Sequence, residues 1–186
     1  MKRPAVYIGL AVVVLAAALV VILPNKNDSQ NLGGQSAQSN PGSRRDATNL
    51  LRVTLPDYNG RQVNLAGLLN KGPVVVNSWA TWCPFCTAEL PAFAKAQQEF
   101  KDDLTIVAID RAESLSTAKG FSDQLGISNQ LTFLLDSGDS FYKSLGGFAM
   151  PETIFVSRSG KLVEHKRGPL TESQLRQKIA DLIKEP

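Results

Sequence analysis

The chain has little of what a metal site requires. It holds two cysteines and one histidine, His165, which stands far from both. A structural zinc site takes about four ligands, commonly from two cysteine pairs. One pair and a distant imidazole count against it, and no metal site is expected. Net charge is scarce as well: 20 Lys and Arg against 17 Asp and Glu leave +3. There is no basic stripe interleaved with aromatics, so nucleic acid is not the expected partner.

Charge is missing altogether from Ala5 to Leu23, just after the basic head Met1-Lys2-Arg3. A helix of that length spans about 30 Å, the thickness of a bilayer core. The run ends Ile22-Leu23-Pro24-Asn25, without the small-x-small pattern of a cleavage site. Residues 1–24 therefore read as an uncleaved transmembrane signal anchor. Lys2 and Arg3 keep the N-terminus cytoplasmic and send the rest outward. Residues 25–49, rich in Asn, Gln, Ser and Gly, have too little apolar surface to fold and read as a flexible polar tether. Residues 50–186 are then one extracytoplasmic domain of ordinary size.

What the sequence does have is a pair of cysteines two residues apart, in Trp79-Ala80-Thr81-Trp82-Cys83-Pro84-Phe85-Cys86. An apolar run, Val74-Val75-Val76, leads in, and a helical pattern from Pro84 to Phe100 leads out. Pro84 suits a first helical turn. Cys83 would then lie at a helix N-terminus, where free N–H groups and the dipole favour a thiolate. Cys86, a turn further in, would resolve the mixed disulfide that Cys83 forms. A purely structural crosslink is a poor alternative, because a two-residue spacer closes almost no loop.

Along the domain, Leu50–Leu55 reads as a strand, Asn59-Gly60 as a hairpin turn and Arg61–Asn64 as the returning strand. Strands follow at Val74–Ser78, Leu104–Ile109 and Leu131–Leu135. They alternate with helices at Pro84–Phe100, kinked at Pro91, at Ser114–Leu125 and at Ser140–Leu145. A hairpin, Thr153–Val156 with Lys161–Lys166, precedes a closing amphipathic helix capped by Thr171. Alternation followed by a hairpin implies an α/β sandwich around a mixed sheet. His165 reads as a surface residue of the late hairpin, and Asp110, which ends a strand, receives no role.

From Leu51 to Ile183 the chain resembles the thioredoxin superfamily, and within it the membrane-anchored TlpA/ResA/CcmG (DsbE) branch. The resemblance rests on Trp79 to Cys86, on Glu89-Leu90-Pro91, on Met150-Pro151-Glu152-Thr153 before a strand, and on the anchor and tether. It implies a thioredoxin fold: three α/β/α layers, a central mixed sheet, an N-terminal β-hairpin and an inserted βα element. It implies a cis bond before Pro151, facing the disulfide, with the Met150 backbone offered to a substrate chain as an added strand. Trp82 becomes a rim residue of the substrate site, and Trp79 a packing residue. Glu89 matches a functional acid of ResA-like proteins; the alternative is a solvated carboxylate in a first helical turn. In one place the chain departs from thioredoxin. Asn77 stands where thioredoxin has a buried aspartate, so any acid assisting Cys86 comes from elsewhere, with Glu89 the candidate.

The expected activity is dithiol–disulfide exchange on exported proteins, with no metal or organic cofactor. The resemblance implies a reductase; a monomer is expected. It would keep apocytochrome c cysteines reduced and take electrons from a CcdA/DsbD-type membrane donor. The Pro84-Phe85 spacer lacks a histidine that would make the pair more oxidising. Three alternatives remain open: a disulfide-forming oxidase, a peroxidase, and a non-catalytic metal- or haem-handling module of the same fold.

Overall fold

The computed structural model describes residues 47–186; the expected anchor and the tether up to residue 46 lie outside them. The first element is a helix, α1 (Thr48–Leu51), where the sequence predicts a strand from Leu50. A short apolar run has no periodicity to decide between the two states. The helical turn buries Leu51 completely. The strand β1 is only Thr54–Pro56 and pairs antiparallel with β2 (Gln62–Asn64), Leu55 opposite Val63. Asp57 closes the turn between them, its Oδ1 accepting the N–H groups of Asn59 and Arg61 at 2.8 and 2.9 Å. Gly60 takes the left-handed conformation there, φ +79°. Asn64 caps a one-turn helix, α2 (Leu65–Leu68), by accepting the Gly67 N–H.

The remaining elements follow the predicted alternation: β3 (Val74–Trp79), α3 (Pro84–Glu99), β4 (Thr105–Arg111), α4 (Leu115–Gln124), β5 (Thr132–Asp136), α5 (Ser140–Ser144), β6 (Glu152–Val156), β7 (Leu162–Arg167) and α6 (Glu172–Lys184). Pro91 lies inside α3 without ending it. Five strands form one sheet in the order β5-β4-β3-β6-β7. The β5-β4-β3 pairs are parallel, and β3-β6-β7 are antiparallel. β3 is thus the central strand, and all six of its residues are buried.

Successive residues of a strand point to opposite faces, and two apolar clusters follow from that. Val75, Trp79, Ile106, Ala108, Phe133 and Phe155 pack with α3 and α6 through Leu90, Phe93, Leu175 and Ile179. Val74, Val76, Val107, Ile109, Leu134 and Ile154 pack on the other face with Leu51, Leu65 and Phe141 of α1, α2 and α5. This is the expected three-layer α/β/α thioredoxin fold. α6 opens with a capping box: Thr171 accepts the Gln174 N–H, and the Gln174 side chain accepts the Thr171 N–H.

Candidate active site

The cysteine motif leaves the sheet at the C-terminal end of β3, the end of a parallel array where α/β sites form. Cys83 is the N-cap of α3, and its Sγ accepts the Cys86 N–H at 3.2 Å. Pro84 occupies the first turn, where its missing N–H costs nothing. Cys83 and Cys86 form a disulfide with Cα atoms 5.3 Å apart. Cys86 is fully buried and Cys83 nearly so. Trp82 and Phe85, next to the cysteines in the chain, are exposed at 60% and 63%, and Phe148, two residues before Met150, at 83%. Met150 packs against the cluster that contains both cysteines, and the Met150–Pro151 bond is cis. Trp79 is wholly buried between Phe121 and Phe133.

Glu89, one turn past Cys86, is buried. Its Oε1 accepts the Asn77 side-chain N–H at 2.8 Å and its Oε2 accepts the Leu170 N–H at 2.9 Å. Burial pushes its pKa up to about 7, while these two donors and the nearby Lys166 hold it from rising further. The carboxylate can therefore take up or release a proton near neutrality. Asn77 also donates to Thr153 Oγ1 at 3.1 Å, so it links β3, α3 and β6 behind the disulfide. Among the described residues its own Oδ1 has no partner.

Sequence reasoning left two further buried acids without a role. Asp110, at the end of β4 and opposite Trp79, is fully buried. Its Oδ1 accepts the Glu113 N–H at 3.2 Å, and its Oδ2 has no partner among the described residues. Burial and the neighbouring Glu113 carboxylate push its pKa up to about 8, so Asp110 keeps its proton. Glu113 bonds to the cysteine motif: its carboxylate accepts the N–H of Thr81 at 2.7 Å and the Thr81 hydroxyl at 2.5 Å. Thr81 stands two residues before Cys83. A neutral acid thus backs an ionised one, which holds the loop carrying the thiols.

Glu152, directly after Pro151, is also fully buried. Its Oε1 accepts the N–H groups of Phe148 and Ala149, both at 2.9 Å. Its Oε2 lies 2.7 Å from His165 Nε2, and Arg167 Nε is 3.6 Å from Oε1. His165 is therefore no surface residue: its side chain is only 9% exposed. The physical reason is pairing, since β7 lies beside β6 and puts the imidazole diagonally across from Glu152. Together these contacts brace the turn before the cis-proline.

The Redoxin family profile matches residues 44–181. The chain is similar to the thiol–disulfide oxidoreductase ResA of Halalkalibacterium halodurans, 31% identical over 135 residues, 72% of this chain and 74% of that protein. ResA of Bacillus subtilis is 31% identical over 131 residues, 70% of either chain. A solved secreted disulfide oxidoreductase of Mycobacterium tuberculosis, homologous to E. coli DsbE, shares the fold with a TM-score of 0.64 at 24% identity, over 73% of this chain and 100% of that one.

Proposed function

Because the chain belongs to the redoxin family, among the ResA/DsbE-like thiol–disulfide oxidoreductases of the thioredoxin superfamily, we propose that it is an extracytoplasmic, membrane-anchored reductase of exported proteins, with apocytochrome c as substrate. The observation that carries this reading is the Cys83–Cys86 disulfide at the start of α3, with the buried, near-neutral carboxyl of Glu89 one turn behind it. The charge-free run from Ala5 to Leu23 supports the anchor.

In the reducing direction, the Cys83 thiolate attacks one sulfur of a substrate disulfide. A Cys83–substrate bond forms and the other substrate sulfur leaves as a thiolate. Cys86 then loses its proton, for which Glu89 is the acceptor, and attacks Cys83 Sγ. The Cys83–Cys86 bond closes and the second substrate thiolate leaves. Two electrons have passed from the dithiol to the substrate. A CcdA/DsbD-type membrane dithiol restores them by the same exchange run in reverse. The backbone of Met150, Pro151 and the rim of Trp82 bind the substrate chain as an added strand. No metal or organic cofactor enters any step.

The test is the reduction potential of the Cys83–Cys86 pair in the full chain, equilibrated against glutathione. A potential near or below the thioredoxin range, about −270 mV, is expected. A potential near that of DsbA, about −120 mV, would reassign the protein as a disulfide-forming oxidase. Cys83→Ser is expected to abolish exchange with a disulfide substrate. Cys86→Ser should instead accumulate mixed disulfides, visible on non-reducing gels.

A further inference from the structure

Arg111, the last residue of β4, joins the cysteine motif to the cis-proline turn. Its Nε and Nη2 donate to Asp139 Oδ1 and Oδ2 at 2.8 and 2.7 Å, a two-bond clasp between half-buried side chains. So held, the guanidinium carbon lies 3.4 Å from the ring centre of Tyr142 and 5.8 Å from that of Trp82. Both distances lie in the range of cation–π attraction. The Tyr142 hydroxyl in turn donates to the Ala149 carbonyl at 3.1 Å. Trp82 immediately precedes Cys83, and Ala149 immediately precedes Met150. One cation therefore connects the residue before the nucleophile to the residue before the substrate-pairing backbone.

In the turn before the cis-proline, the backbone groups of Ala149 are engaged and those of Met150 are open. The N–H of Ala149 is taken by Glu152 and its carbonyl by Tyr142. Among the described residues, the N–H and carbonyl of Met150 make no hydrogen bond. Backbone groups left open in this way are what an incoming extended chain needs.

We propose that Arg111 is a positioning residue that fixes the spacing between Trp82 and the Ala149–Met150 turn, and so sets the affinity for the substrate chain while leaving the chemistry at sulfur alone. The proposal rests on the thiol–disulfide exchange and the strand-like substrate capture described above. It depends on the shape of the guanidinium as well as its charge. A planar fork can hold two carboxylate oxygens while stacking on rings, and an ammonium cannot.

The experiment compares full-length wild type with Arg111→Lys, Arg111→Gln and Tyr142→Phe. Each is assayed for kcat and KM with a peptide carrying one intrachain disulfide, and for the potential of the cysteine pair. Both Arg111 variants are expected to raise KM by about fivefold or more, the scale of a lost stack and clasp, with kcat and potential at wild-type values. Tyr142→Phe keeps the stacked ring and loses only the bond to Ala149. It should raise KM by a smaller factor, again without a shift in potential. A wild-type KM in Arg111→Lys would show that charge alone matters and overturn the proposal. So would a loss that falls on kcat or the potential with KM unchanged. Wild-type protein unable to exchange with the peptide at all would remove the functional reading, and the proposal with it.

Discussion

Asp110 and Glu152 are both fully buried, and they flank the same strand. Asp110 pairs with Trp79 from β4 and Glu152 with Ser78 from β6, on either side of the end of β3 from which the cysteine motif departs. Their protonation nevertheless runs in opposite directions. Burial works to raise both. At Glu152 it is outweighed by the Ala149 and Phe148 N–H groups and by His165, and the carboxyl stays below its ordinary range. At Asp110 the neighbouring Glu113 carboxylate adds to burial, the single donor, the Glu113 N–H, does not offset them, and the pKa rises to about 8. Burial alone therefore does not set the ionisation of an acid beside this disulfide; the supply of donors does. One flank carries a fixed negative charge that braces the cis-proline turn. The other carries a proton that lets Glu113 stay ionised and hold Thr81.

The most severe way to break this contrast is Glu152→Ala. It removes the acceptor from two backbone N–H groups and the partner from His165, all in a buried place. Groups left unpaired there are expected to cost about 3 kcal/mol or more, measured by urea unfolding. A loss below about 1 kcal/mol would mean that the brace is no stronger than a surface ion pair. Asp110→Asn is the opposite case, because an amide reproduces a carboxyl that already carries its proton. The folded-state pKa of Asp110 is raised from 3.8 to about 8. Its stabilising effect is therefore complete below the unfolded value and fades as pH rises through about 8. Wild type should lose stability relative to Asp110→Asn steadily from pH 4 to pH 8, with the variant the more stable at the upper end. Parallel denaturation curves across that window would show that Asp110 does not hold a proton.

The two flanks also differ in how much the sequence discloses. The cysteine pair is legible because its signals are local: an apolar run, the spacing of two thiols and a proline that opens a helix. The cap at Thr171 and the Asn59-Gly60 turn are legible for the same reason. The braces are not, because their partners are distant in the chain: Thr81 and Glu113 are 32 residues apart, and Asn77 and Glu89 are 12 apart. Periodicity carries no information about such pairings. A weaker signal was present all the same. Asp110 closes the buried part of an apolar parallel strand, where sites gather. Glu152 begins a strand of otherwise apolar and small residues, and a charge in that setting calls for a partner. Leu50 and Leu51, expected to open a strand, close the helix at Thr48–Leu51 instead, because two leucines fit either state.

Glu89 lies between the two extremes and gives the smallest and finest test. It has two donors, Asn77 and Leu170, against the three at Glu152, and its pKa settles at about 7. Above that pH it is an anion near the thiols and opposes their ionisation; below it, it is neutral. Glu89→Gln is neutral at every pH. The substituted amide can also be accommodated, since Asn77 Oδ1 is unpartnered and can accept from it once the Asn77 amide rotates. The alkylation profile of the reduced variant should therefore move to lower pH by less than about one unit, with the inflection near pH 7 gone. Stability should respond with the same sign as at Asp110. The wild-type carboxyl, raised from 4.5 to about 7, stabilises fully below the lower value and loses that contribution as pH climbs through the higher one. An alkylation curve identical to wild type would mean that the Glu89 charge does not reach the thiols, and that its two donors keep it only as a link between β3 and α3.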